Sequence, residues 1–495
     1  MSLLERTKDL LDVFIEQTDT IPQMLYNIQV NLGLRPANMF KEDGEWKVIT
    51  YNELVNRVEN IAIGLMQIGV QSEDFVGIKA HTCARWAWAD LGLLFAGAVS
   101  TSVYPSLSKK QTVEIATHCE MKWLMLGDRE LLFDTLKYKD EMPGVKALIC
   151  MEKGFVGNGE DIFGLDELMQ LGADNRQDCC GLIKERLSSL TADSPAILVY
   201  TSGTTADLKG VLHSHKDILW ASYRGQKGVA LHKHSQNYNT VAMSVLPMSH
   251  ILEKINSYYG PLSCGAMIGY VDSPATILSD IQAIKPTWIT LVPRLVSRIY
   301  LGFERAFSAT EIGKKAWDWA MDVALRATYA LENEHGVIDT TIPFEDQLNG
   351  SLREEWIAAN NNVYSRIKNA LGGRVWDITI GGSVLEAELQ RKFTGMGGWA
   401  LEFGYGSTES TSCMAQSNAD CARMGWTGEL DPGTEAKLAD DGELLIRGHG
   451  IITSYYKNPA ANAKSFTEDG WFKTGDIAEF DESRKSLLRK KCGCI

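Results

Sequence analysis

The chain has 495 residues, 45% hydrophobic and 23% charged, with a formal net charge of −14. That length exceeds one ordinary core and predicts two or three packed subdomains of a globular protein. The acid excess disfavours a nucleic-acid partner, and ten scattered cysteines, adjacent only at Cys179 and Cys180, suit reduced thiols better than disulfides or zinc. Residues 1–20 carry acids and lack a continuous apolar core, so no signal peptide is expected. The longest apolar run, near 91–99, is too short to span a bilayer. Residues 46–51 read as a strand. Thr50 and Glu53 then form a capping box, opening a helix whose Leu54, Val58, Ile61 and Leu65 share one face, with Gly69 placed to end it. A strand at 75–80 and a Trp- and Leu-rich helix through Phe95 follow. The alternation continues through strand 99–104, helix 109–118, strand 122–126, helix 130–138 and strand 145–151.

After a polar stretch at 172–193 the pattern restarts. Strand 196–200, helix 217–229, strand 241–247, helix 252–259, strand 266–271, helix 277–284 and strand 288–293 are predicted in turn. Strands spaced by helices argue for an α/β fold, two packed subdomains with largely parallel sheets. Residues 295–371 are long, charged and helical in places (314–331, 352–370), as a solvated insertion would be. From Gly425 the texture changes to short strands at 433–438, 442–447 and 451–456, a small β-rich subdomain.

Chemistry concentrates where strand 196–200 ends, in Tyr200-Thr201-Ser202-Gly203-Thr204-Thr205-Ala206-Asp207-Leu208-Lys209-Gly210. Glycines let backbone N–H groups converge, hydroxyls donate to phosphate oxygens and Lys209 adds a movable charge. It is no Walker loop, because Leu208 stands before the lysine and no Ser or Thr follows it. An ordinary turn has the same residue types, so the loop alone decides nothing. Four further segments follow in order. They are Leu246-Pro247-Met248-Ser249-His250 with Glu253 beyond it, Thr379-Ile380-Gly381-Gly382-Ser383, Gly404-Tyr405-Gly406-Ser407-Thr408-Glu409, and Trp471-Phe472-Lys473-Thr474-Gly475-Asp476. This ordered set resembles the adenylate-forming superfamily of acyl-CoA synthetases, peptide-synthetase adenylation domains and luciferases, over about residues 1–480. His250-Ile251-Leu252-Glu253 and the insertion at 295–371 resemble the long-chain fatty acyl-CoA synthetase type.

The resemblance implies ATP-dependent activation of a medium- or long-chain fatty acid to acyl-AMP, then thioester formation with coenzyme A. No covalent protein nucleophile is needed, so charge neutralisation and alignment carry the first step. By the same resemblance Thr201, Ser202, Gly203, Thr204, Thr205 and Lys209 hold the β- and γ-phosphates. Ala206 and Leu208 depart from the family loop, which has glycine and proline there. Gly381, Gly382 and Ser383 would meet the adenine, and Gly404, Tyr405 and Gly406 bring an aromatic ring to stack on it. Thr408 would touch the α-phosphate, Asp476 the ribose hydroxyls, and Thr204 with Glu409 would hold Mg²⁺. His250 matches a residue beside the reacting carboxylate, and Trp220, Tyr258, Tyr259 and Gly260 fall where relatives build the acyl pocket. The pairs His213/His215 and His232/His234 have alternate-residue spacing, but no Cys or carboxylate cluster accompanies them, and they read as structural.

The expected organisation is a first αβ subdomain at 1–190 and a second at 191–403 with the phosphate loop. The adenine and Mg²⁺ loop with the β-rich subdomain is expected at 404–480, and a hinge remnant at 481–495. The family's mobile C-terminal domain, which brings an adenylating lysine and part of the coenzyme A tunnel, is expected to be essentially absent and turnover correspondingly poor. Two alternatives stay open: an adenylate former without coenzyme A ligation, and a catalytically crippled relative that binds nucleotide or fatty acid. Expected partners are the small-molecule substrates ATP, fatty acid and coenzyme A, in the cytoplasm. Peripheral contact with the inner membrane stays open, and the letters set neither the acid's chain length nor the oligomeric state.

Overall fold

Two sheets organise the chain in the computed structural model, which describes residues 18–202, 208–230, 236–273, 275–397, 399–481 and 487–494. The seven-stranded sheet runs, in spatial order, Ile162–Gly164, Ala147–Cys150, Trp123–Leu126, Phe75–Lys79, Val99–Val103, Pro195–Ser202 and Leu208–Ser214. Its first six strands are mutually parallel and only the last is antiparallel. Strands such as Trp123–Leu126 and Ala147–Cys150 are continuously apolar because both faces are buried. The second ladder has thirteen strands. Its parallel centre comprises Ala400–Ser407, Asp377–Ile380, Trp288–Leu291, Val241–Ser244, Met267–Tyr270 and Pro36–Glu42.

Local signals in the sequence hold where capping chemistry or periodicity is strong. The Thr50 capping box is formed, Glu53 Oε2 accepting from Thr50 N at 2.7 Å, and it opens the helix Tyr51–Gln67. Helix Lys109–His118 and helix Ile277–Ile284 lie as the periodicity places them. Sheet membership differs from expectation. Strand Pro195–Ser202, expected to open the second αβ unit, pairs with Val99–Val103 in the first sheet. Strands Pro36–Glu42 and Glu45–Thr50 instead join the second sheet beside Met267–Tyr270. Chain order alone does not choose between neighbouring sheets; packing of the crossovers does.

Other differences have local causes. The polar stretch 172–193 contains a helix, Arg176–Ser188, whose pattern is faint because only Cys179 and Ile183 are buried. A helix at Ile21–Leu32, capped by Thr20, precedes the first expected strand. Residues 451–456 do not form a strand; they cross the first sheet's edge, with Tyr456 N donating to Gly210 O at 2.8 Å. Residues 487–494, expected as a hinge remnant, form the strand Leu487–Cys494 between Gly428–Leu430 and Phe472–Phe480. Among the described residues no helix is long and apolar enough to cross a membrane.

One buried ion pair ties the two sheets' helices together. Helix Ala84–Phe95 carries Asp90, and the π-helical turn Lys254–Tyr259 carries Lys254. Lys254 Nζ lies 2.9 Å from Asp90 Oδ1, both side chains being fully buried. Ser100 Oγ and Tyr259 Oη donate to the same carboxylate, each at 2.5 Å, and the ammonium sits 4.4 Å from the Trp86 ring centroid.

Candidate active site

The phosphate-loop sequence leaves one edge strand and returns in the next. Thr201 pairs with Lys209 and Ser202 with Leu208, so hydroxyl and ammonium residues flank the base of the loop. Gly203, Thr204 and Thr205, with Ala206 and Asp207, lie outside the described residues, as do His232 and His234. Lys209 Nζ stands 4.9 Å from the Tyr455 ring centroid. Tyr455 Oη in turn donates to Glu409 Oε1 at 2.7 Å. Burial and then the neighbouring Glu409 charge raise the Tyr455 phenol well above its ordinary range, so the phenol keeps its proton. The loop lysine and Glu409, 200 residues apart in the numbering, thus meet on one aromatic ring. Tyr455 is the residue the sequence did not single out: an aromatic in a short apolar run carries no spacing signal.

A second contact joins two more of the motifs. Tyr405 Oη donates to Asp476 Oδ2 at 2.8 Å, joining the strand Ala400–Ser407 to the strand Phe472–Phe480. Tyr405 shares a cleft of about 590 Å³, open solvent included, with Gly382, Ser383, Gly404 and Gly406. Two glycines here are sterically required. A Cβ on Gly406 would stand 1.5 Å from Ser412 O, and Gly382 has φ +84° at the end of its strand. Thr408 is buried in the turn that leads to Glu409.

His250, Gly260, Gly382, Gly404 and Gly406 line an adjoining cleft of about 720 Å³, open solvent included. His250 caps the turn Ile251–Glu253, its Nδ1 accepting from Leu252 N at 3.1 Å. That bond leaves the hydrogen on Nε2, a neutral donor, and desolvation lowers the ring's pKa. Glu253 braces the segment from below. Its Oε1 accepts from Ser244 Oγ (2.7 Å) and Val245 N (2.8 Å), and Oε2 from Ser257 Oγ (2.9 Å).

Burial lifts the Glu253 carboxyl from 4.5 to about 7. The folded state therefore binds its proton more tightly than the unfolded chain does. Stability from this group is greatest below pH 4.5, falls between pH 4.5 and 7, and is lost above, by on the order of 3 kcal/mol. Glu253→Gln keeps the acceptor toward Ser244 and Val245. It is expected to flatten the stability–pH curve over that interval and to be more stable than the parent at pH 8, as denaturant titration at several pH values will read. An unchanged slope would mean that Glu253 does not hold the proton.

Three expectations change. Tyr258 and Tyr259 are fully buried and do not line the cleft: Tyr258 Oη donates to Ala87 O and Tyr259 Oη to Asp90. The π-helical turn rotates them into the core and leaves Ile255, Asn256 and Gly260 at the cleft wall. Trp220 stacks on His449, ring centroids 4.7 Å apart, away from His250's cleft. Thr411 Oγ1 donates to Gly450 O and meets His213 Nδ1 at 3.1 Å, while His215 Nδ1 accepts from Ile21 N. Among the described residues no group of three His, Cys, Asp or Glu is placed to hold a metal ion. Glu409, a half-buried carboxylate with one oxygen on Tyr455, is a hard-oxygen ligand of the kind Mg²⁺ takes beside phosphates.

The model of a family described as AMP-binding enzyme matches residues 31–456. Long-chain-fatty-acid–CoA ligase FadD15 of Mycobacterium bovis is 28% identical over 442 residues, 89% of this chain and 69% of the relative. Long-chain-fatty-acid–CoA ligase ACSBG1 of Rattus norvegicus is 26% identical over 473 residues, covering 94% and 63%. The chain thus spans about two thirds of the length of these curated relatives. Among solved structures, the anthranilate CoA ligase AuaEII in complex with anthranoyl-AMP superposes with a TM-score of 0.68 at 17% identity, covering 95% of this chain and 77% of that one. The N-terminal domain of FACL13 from Mycobacterium tuberculosis gives 0.66 at 18%, covering 97% and 100%. At these identities the structures establish the fold alone.

Proposed function

The chain belongs to the AMP-binding enzyme family, and from that premise we propose that its groove activates a fatty acid with ATP and Mg²⁺ to an acyl-adenylate, which coenzyme A then converts to the thioester. The observation that carries this reading is the meeting of Lys209, Tyr455 and Glu409, with the Tyr405–Asp476 pair near enough for the Glu409 charge to act on the Tyr405 phenol. A carboxylate oxygen of the acid attacks the α-phosphorus, the bond from that phosphorus to the bridging oxygen breaks, and pyrophosphate leaves. Both reactants are anions, so charge neutralisation is the main demand.

In this reading Thr201, Ser202, Gly203, Thr204, Thr205 and Lys209 hold the outer phosphates. Gly381, Gly382 and Ser383 meet the adenine edge, Tyr405 its face, and Asp476 accepts from the ribose hydroxyls. Glu409 and Thr204 would hold Mg²⁺, which when bound neutralises charge on the phosphates. Thr408 faces the α-phosphate, and His250 offers its Nε2 hydrogen to the reacting oxygens. These residues support the first half-reaction. Transfer to coenzyme A rests on what the relatives are named for.

Tyr405→Phe keeps a ring for stacking and removes the bond that orients Asp476. ATP affinity is expected to fall by roughly three- to tenfold, about 1 kcal/mol, as calorimetric titration will read; equal affinity would remove Asp476 orientation from the account. The reading as a whole is tested by hydroxamate trapping of the adenylate with ATP, Mg²⁺ and a panel of fatty acids, with and without coenzyme A. Acid-dependent hydroxamate is expected. ATP binding with neither hydroxamate nor thioester would contradict it and favour a nucleotide-binding relative without catalysis.

A further inference from the structure

The cleft beside His250 ends on a polar floor. Trp288 pairs with Asp377, Thr290 with Thr379, and Thr379 with Glu402, so strand alternation puts these five side chains on one face of the sheet. Trp288, Thr379 and Glu402 line the cleft together with Gln416, which pairs with Gly404 on the next strand. The floor is deeply buried: Trp288 is 4% exposed, Thr379 8% and Glu402 4%. Even so, Trp288 Nε1, Thr290 Oγ1, Thr379 Oγ1 and Gln416 Nε2 have no hydrogen-bond partner among the described residues.

The Asp377 and Glu402 carboxyls are in hydrogen-bonding contact, and burial raises both above the usual carboxylate range. As two carboxylates they have no hydrogen to share, so the pair holds at least one proton near neutrality. A plain hydrocarbon laid on this floor would leave the Trp288, Thr379 and Gln416 groups unmet, at the full desolvation cost of each. Ile251, Leu252, Ile255 and Phe403 line the rest of the same cleft, so an apolar chain suits its walls and a polar group its floor.

We propose that this floor selects a carboxylic acid that carries a hydroxyl group on its chain, a substrate class that rests on the adenylation reading above. A hydroxyl accepts from the Trp288 or Gln416 N–H and donates to Thr379 Oγ1 or the Glu402 carboxyl, using both of its hydrogen-bonding modes on the cleft lining. An ammonium only donates and leaves the two N–H groups unmet. A second carboxylate brings negative charge against the acidic pair.

Calorimetric binding of decanoic acid, its monohydroxylated isomers, an aminodecanoic acid and decanedioic acid to the full chain tests this without requiring turnover. At least one hydroxylated isomer is expected to bind tenfold or more tightly than decanoate, with the amino and dicarboxylic acids weaker than that isomer. Thr379→Val and Gln416→Leu are each expected to reduce the preference below threefold by weakening the hydroxylated acid rather than decanoate. Decanoate binding as tightly as every isomer, no binding of any acid, or a preference that survives both substitutions would overturn the assignment. Pyrophosphate release measured on the same samples separates the two readings. Hydroxyl preference without ATP-dependent release overturns adenylation and leaves the floor assigned, whereas release with decanoate preferred does the reverse.

Discussion

Replacing Glu409 with alanine is expected to lower affinity for ATP·Mg²⁺ by roughly 10²-fold or more and to abolish its dependence on Mg²⁺. The substitution acts twice. It removes the proposed hard-oxygen ligand, and it strands the Tyr455 phenol, whose hydroxyl donates to Glu409 Oε1 at 2.7 Å. Tyr455 is also the ring beside Lys209, so its reorientation reaches the phosphate loop's cation. Glu409→Gln retains an oxygen for Tyr455 and loses the charge. It is therefore expected to fall between parent and alanine variant, with the Tyr455 position kept. Titrations with and without Mg²⁺ read both effects, and an alanine variant that still needs Mg²⁺ would reduce Glu409 to a loop acid.

The second large effect is on stability. Asp90→Ala leaves Lys254 as a fully buried ammonium over Trp86 and takes the acceptor from Ser100 and Tyr259. Breaking one partner of such a pair costs about 3–5 kcal/mol, because the remaining charge cannot be hydrated. The loss is expected as reduced hydrogen-exchange protection in Ala84–Phe95 and in the turn Lys254–Tyr259, which supports the segment that bears His250. The double replacement Asp90→Leu with Lys254→Met removes both charges and is expected to cost less than Asp90→Ala alone. A double variant worse than the single one would mean that the pair contributes through geometry that apolar side chains cannot reproduce.

Part of the fold was legible where residues act through short-range rules. The Thr50–Glu53 box follows from capping alone, whereas the glycines at 382 and 406 and the loop residues Thr201 and Lys209 were named from motifs, and the structure adds their φ, crowding and hairpin register. Tyr405 and Asp476 were each named from their motifs, and the hydrogen bond between them joins strands 71 residues apart. What the letters did not carry is partner choice over long separations. Nothing local says that Pro195–Ser202 joins the first sheet or that Tyr455 stands between Lys209 and Glu409. Tyr258 and Tyr259 were misplaced because one π-helical turn rotates the face that a regular helix would show to the cleft. The acidic floor left a trace that periodicity overrode: Asp377 and Glu402 interrupt strands otherwise fit for a core.

The most direct measurement is calorimetric binding of a non-hydrolysable acyl-adenylate mimic, decanoyl sulfamoyladenosine, to the full chain beside AMP alone. If one groove holds both the nucleotide and the acid, the mimic binds with a stoichiometry of one and roughly 10²-fold or more tightly than AMP. Affinity no greater than that of AMP would contradict the central claim, since the acyl half would then find no site beside His250.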